Sequence, residues 1–153
     1  MDLTLQVERV AASIVDRKGR SSDLVFFLHT ASPHHFATET VADRLNDPAA
    51  RFLPCEIADQ TELIRLSSLS YVEIHGLPPE MERLQEIGAV RRPVEIQLDC
   101  GETLAGELVY EAPQTTDRVS DLLNSNAARF LLLAIGDRTL FVRRDAIARV
   151  RPS

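Results

Sequence analysis

The chain has 153 residues, 44% of them hydrophobic and 26% charged, which is the balance of a folded globular protein and argues against disorder. Its formal net charge of −6 disfavours non-specific binding to nucleic acid or anionic membranes, although one lysine against sixteen arginines leaves room for a local basic face. No apolar run approaches the ~20 residues of a membrane-spanning helix, and Met1-Asp2-Leu3-Thr4 lacks the basic start of a signal peptide. The expected location is therefore cytoplasmic, with no membrane partner.

Taken in order, Leu3, Leu5 and Val7 alternate with polar residues, Val10 to Val15 is a short apolar run, and Asp16-Arg17-Lys18-Gly19 is a turn. Leu24 to Leu28 is a continuous run of strand formers, expected to be buried on both faces. From Thr38 to Asn46 the spacing predicts a short helix, with Thr38 or Thr40 as cap and Ala37, Val41 and Leu45 on one side. Phe52 to Ile57 and Glu62 to Leu66 read as strands around an Asp59-Gln60 turn, followed by a strand over Leu69 to Ile74. Gly76-Leu77-Pro78-Pro79 breaks the chain. A helix then runs to Gly88, with Glu80 and Glu82 in its first turn and an apolar stripe of Leu77, Met81 and Leu84 that should dock on the sheet.

Val94, Ile96 and Leu98 alternate with Glu95 and Gln97, Asp99 to Glu102 turn, and Leu104 to Tyr110 returns. Gly106 inside that strand marks a sharp bend, a bulge or a close backbone approach. A second short helix follows, with Thr115, Thr116 or Asp117 as cap and Val119 and Leu123 on its apolar side. Arg129 to Ile135, a Gly136-Asp137-Arg138 turn, Thr139 to Arg143 and Ile147 to Val150 complete the chain as strands.

Much of this is written twice. Val41 to Val72 aligns without a gap on Val119 to Val150, a constant offset in numbering of 119 − 41 = 78, and 14 of the 32 positions are identical, where chance gives roughly two. The shared core is Asp43-x-Leu45-Asn46-x-x-Ala49-Ala50-Arg51-Phe52-Leu53 against Asp121-x-Leu123-Asn124-x-x-Ala127-Ala128-Arg129-Phe130-Leu131. The expected organisation is a first repeat over residues 1–76, a connector helix over 77–92 and a second repeat over 93–153, related by a pseudo-two-fold. Units this small are marginal alone and should share apolar surface. Phe52 and Phe130 are expected to be buried at equivalent core points.

The order of elements resembles the Sm/LSm family of small bent β-barrels. Val94-Glu95-Ile96-Gln97-Leu98-Asp99-Cys100-Gly101-Glu102-Thr103-Leu104-Ala105-Gly106-Glu107-Leu108 is similar to the family's first motif, and Phe141-Val142-Arg143-Arg144-Asp145-Ala146-Ile147 to its second, with Arg144 where the family has glycine. The resemblance implies a mainly β fold: two tandem Sm-like bent barrels or sheets, each with an inserted short helix. It does not imply RNA recognition, because Asp121-Leu122-Leu123-Asn124 lacks the spacing of the family's RNA loop. In that family neighbouring chains pair their edge strands. Here one such junction is available within the chain, so either a closed monomer or a low-order homo-oligomer is expected.

No sequence pattern of a nucleophile, phosphate loop or metal site is present. His29, His34 and His35, with Cys55 or Glu39 nearby, are better read as solvated loop residues than as metal ligands. Cys55 and Cys100 have no metal-binding spacing. No cofactor, metal or catalytic residue is assigned, and the chain is read as non-enzymatic. The candidate binding residues are Arg143, Arg144 and Arg149 in the last strands, and Asn46 and Asn124 at the ends of the short helices. For the two asparagines a left-handed helix stop is the simpler expectation. Arg51 and Arg129 are expected to bridge to Asp43 and Asp121. The expected function is an interaction or scaffold module that binds a protein partner or itself; RNA binding through the C-terminal arginines is the alternative.

Overall fold

The computed structural model describes residues 7–29, 39–111, 118–125 and 128–153. Ten strands and three short helices follow one another as β1 (Val7–Asp16), β2 (Ser21–His29), α1 (Val41–Asn46), β3 (Phe52–Ile57), β4 (Gln60–Arg65), β5 (Leu69–Ile74), α2 (Glu80–Glu86), β6 (Val90–Leu98), β7 (Thr103–Tyr110), α3 (Val119–Asn124), β8 (Phe130–Ile135), β9 (Arg138–Arg143) and β10 (Ile147–Pro152). The fold is mainly β, as expected. No described helix is long and apolar enough to cross a membrane. The predicted helix caps Thr38, Thr115, Thr116 and Asp117, the helix residue Ala37, and the loop residues His34 and His35 lie outside the described residues.

All ten strands form one antiparallel sheet in the order β10-β6-β7-β8-β9-β5-β1-β2-β3-β4. The first five strands stand in the order β5-β1-β2-β3-β4, and the last five repeat that order as β10-β6-β7-β8-β9. The two halves meet where β5 pairs with β9, with Tyr71 opposite Val142, Val72 opposite Phe141, Glu73 opposite Leu140 and Ile74 opposite Thr139. This junction is head-to-tail, since it pairs the fifth strand of one half with the fourth of the other. A two-fold would have joined like strands or closed the sheet through a second, equivalent junction, and neither is present. The sheet is open, with β4 and β10 as free edges, so the closed monomer is not realised.

The halves share apolar surface. Phe130, Leu132, Ala134 and Phe141 from β8 and β9 pack with the core residues of the first half, including Phe26, Leu28 and Val72 on its strands and Leu45 on α1. Val15 and Tyr71 pack in return with Val94, Ile96, Leu108 and Leu133. The expectation for the paired phenylalanines is half corrected. Phe130 is 2% exposed, whereas Phe52 is 44% exposed. Phe130 starts a strand whose hairpin partner β9 is covered by β5; Phe52 starts the matching strand, whose hairpin partner β4 is the last strand of the sheet.

Local chemistry places the helices. Thr40 caps α1: its hydroxyl accepts from the Asp43 N–H, and the Asp43 carboxylate accepts from the Thr40 N–H at 3.1 Å. The other two free N–H groups of that turn, on Val41 and Ala42, donate to the buried carboxylate of Glu80 at 3.1 and 2.7 Å, which pins α2 to α1. Met81 of the expected α2 stripe is buried, but Leu77 is 72% exposed, because it lies in the bend before the helix. The β3–β4 turn is Ala58-Asp59, both at positive φ, one residue earlier than expected. Strand β6 begins at Val90, inside the stretch assigned to the connector.

Burial raises the Glu80 carboxyl above its ordinary value of 4.5, against the lowering effect of its backbone hydrogen bonds. Between 4.5 and that raised value the folded chain holds a proton that the unfolded chain has released. Stability from this group therefore falls as pH rises through the window. Chemical denaturation across that pH range should show this fall in the wild type, and Glu80→Gln should flatten it.

Candidate functional site

The junction is rich in polar contacts among the described residues, and each comes from a definable element. On the strands, Arg138 donates to the two Glu73 carboxylate oxygens at 2.7 and 3.1 Å. That bidentate pairing holds the Glu73 carboxyl below the ordinary carboxylate range. Tyr71 donates from its hydroxyl to Glu102 at 2.9 Å; burial, then the neighbouring carboxylate, pushes its pKa upward. Arg17, in the β1–β2 turn, reaches across to Asp145 at 2.7 Å and Asp99 at 3.1 Å.

The last turn of α1 supplies a clasp. The Asn46 side-chain oxygen accepts from the backbone N–H groups of Arg129 (3.0 Å) and Phe130 (2.8 Å), and its amide nitrogen donates to the Phe130 carbonyl at 3.3 Å. Arg129 answers by donating from one guanidinium nitrogen to the carbonyls of Leu45, Asp47 and Ala50. The Arg143 guanidinium stands over the Phe130 ring at 5.5 Å and donates to Asp145 at 2.7 Å. Two expectations are thereby corrected. Asn46 has no left-handed backbone; Ala58 and Asp59 alone among the described non-glycine residues take positive φ. Arg129 bridges to backbone carbonyls rather than to Asp121, and the Asp43 carboxylate belongs to the α1 cap.

The matching residues of the other repeat lack these partners. Phe52 is overlain by Arg65 at 5.6 Å, as Phe130 is by Arg143. Arg51 and Asn124 are exposed and have no side-chain hydrogen-bond partner among the described residues. Strand β4 is exposed from Gln60 to Leu63 and again at Arg65, whereas Thr139 to Arg143 of β9 are all buried. Leu63, on that edge, is 64% exposed.

A cavity of about 390 Å³ lies between these two corners, lined by Arg51, Phe52, Arg65, Ser67, Arg129 and Arg143. Of the predicted binding residues only Arg143 lines it; Arg144 belongs to the turn before β10, and Arg149 projects from the β10 edge. Asn46 sits in the junction and Asn124 on the exposed end of α3, so the structure does not gather the five candidates into one site. Arg51, Arg65 and Arg129 were not expected to bind together. Their signal is positional, since Arg51 matches Arg129 and Arg65 matches Arg143 in the alignment of the two repeats. Cys55 and Cys100 are free thiols, and no group of three or more His, Cys, Asp or Glu gathers among the described residues. No protein-family model matches the chain, and no curated protein or solved structure matches it.

Proposed function

We propose that the chain is a non-enzymatic interaction module, a tandem of two Sm-like repeats whose free sheet edges take a β-strand from a protein partner. The observation that supports this reading is that β4 and β10, the open edges, occupy in each half the positions of β9 and β5, the two strands that already pair. An open edge presents a row of unpaired N–H and C=O groups, and strand addition satisfies them. The exposed Leu63 and Phe52 beside that edge add apolar surface for an added strand to cover.

The test is binding of a fluorescent peptide with the sequence of residues 69–76, a strand of the type that β9 accepts. Leu63 stands opposite Pro54, which has no N–H, so this pair exchanges no ladder bonds and the Leu63 N–H points outward. Leu63→Pro removes that donor at an edge, where proline is tolerated. Saturable binding by the wild type that is lost in Leu63→Pro is the expected result; equal binding by both, or by neither while the chain is monomeric, would sink the reading.

The cavity lined by four arginines favours a second reading, in which the chain binds RNA phosphates. Three features weigh against it. The net charge is −6, Arg129 is committed to carbonyls, and Arg143 is committed to Asp145. Anisotropy with labelled oligo-U at about 150 mM salt, where surface attraction is well screened, should show no binding. Salt-sensitive micromolar binding, lost on replacing Arg51 and Arg65 by alanine, would promote this second reading.

A further inference from the structure

We infer that the strand taken up by these edges belongs to a second copy of this chain: β10 of one copy pairs with β4 of the next, and Asn124 of the first clasps Arg51 and Phe52 of the second. The inference rests on the strand-addition reading and names its partner.

It is carried by what the intrachain junction uses and what the free edges repeat. Asn46 clasps Arg129 and Phe130 within the chain. The matching residues of the other repeat are Asn124 in place of Asn46, and Arg51 and Phe52 in place of Arg129 and Phe130. Both halves of a second clasp are therefore present, and among the described residues they are not joined to each other within the chain. Asn124 lacks a side-chain partner among the described residues, and Phe52 is 44% exposed where Phe130 is 2% exposed. The elements that carry them recur at the same spacing. Helix α3 follows α1, β8 follows β3, β9 follows β4 and β10 follows β5, and the first residue of each pair is separated by the one offset that relates the repeats.

Repeating the junction's register gives the intermolecular one. Tyr71, Val72 and Glu73 face Val142, Phe141 and Leu140 in the chain. Their counterparts are Arg149, Val150 and Arg151 on β10, and Ile64, Leu63 and Glu62 on β4. Val150 then covers Leu63, which is 64% exposed in the free chain. Arg151 falls opposite Glu62, an opposite-charge cross-strand pair that takes the place of the Glu73 pairing with Arg138. Pro152, at the position of Ile74, has no N–H to give and shortens the added ladder by one bond. A head-to-tail pairing of this kind closes into a ring or extends, according to the rotation from copy to copy.

Sedimentation velocity across a dilution series of the full chain tests the inference. The wild type should associate with increasing concentration, and Asn124→Ala should weaken the association at least about tenfold. Arg151→Glu should weaken it similarly, and the double variant Arg151→Glu with Glu62→Arg should restore it. All these positions are exposed, so circular dichroism and melting of the variants should match the wild type. Association indifferent to Asn124→Ala and Arg151→Glu overturns the inference. A chain that stays monomeric while the 69–76 peptide still binds its edge removes the second copy as partner and leaves strand addition standing. A monomer that also ignores the peptide removes both.

Discussion

Phe130→Ala should destabilise the protein by about 3–5 kcal/mol, while Phe52→Ala, the same change at the matching position, should cost no more than about 1 kcal/mol, as surface changes usually do. The two residues share their neighbours in sequence and even an arginine over the ring, at 5.5 and 5.6 Å. What separates them is the packing around each. Phe130 is 2% exposed in a core built from both halves, and its backbone N–H and C=O are taken by Asn46. Truncation there opens a cavity between β8 and the first half, in the seam that joins them. Phe52 has solvent on one side, so truncation mainly removes contact with Arg65. Parallel urea denaturation of the two variants and the wild type at neutral pH reads the difference directly. Equal losses would mean that the seam is no more than an ordinary patch of surface.

Gly106→Ala should cost about 1–3 kcal/mol, towards the upper end, because an added Cβ overpacks a place where the backbone cannot yield. Built on the glycine, that carbon lies 2.4 Å from the Ala134 carbonyl oxygen and 2.8 Å from Ile135 Cγ1. The φ angle is not the reason; Gly106 is absent from the positive-φ glycines. Its role is close approach. Strand β7 pairs with β6 along its whole length but with β8 only at Glu107 and Leu108, so the chain must turn sharply into that short ladder. Nearby Gly136, with nothing within 4 Å of its Cβ position, is limited by its φ of 60° instead. Thermal melting of Gly106→Ala against wild type checks the claim, and an unchanged melting temperature would refute the close-approach account.

The parts of this fold legible in the sequence are those decided by near neighbours. The Thr40 cap, the Gly136-Asp137 turn and the alternation of Val94, Ile96 and Leu98 are local patterns, and the structure has them. Gly106 was legible as a special strand position, although the atoms that make it special belong to another strand, at Ala134 and Ile135 of β8. The matched segments likewise announced matched elements. They could not announce that one copy would be covered and the other left open, since identical residues carry no mark of which edge finds a strand. Asn46 shows the same boundary. Asparagine at a helix end suggests a left-handed stop, yet its partners Arg129 and Phe130 stand in the other half of the chain. The Arg51 bridge is absent for a simpler reason, as Asp43 is already engaged by the helix cap, and the Arg129 guanidinium goes instead to the carbonyls of Leu45 and Ala50 in the other half.

The seam between β5 and β9 also sets a schedule for the nascent chain. Strand β5 ends at Ile74 and its partner β9 begins at Arg138, so everything from His75 to Arg138 must be made before the first pair can form. At ~5–20 residues per second, a ribosome needs about 3–13 s to deliver the second strand. During that interval the N-terminal half has both of its outer strands, β4 and β5, uncovered, and Asn46 has nothing to hold. The protein is therefore most prone to pairing with a neighbouring nascent chain before its own C-terminal half has left the ribosome. Refolding of the complete chain escapes that delay, because both strands are present from the start.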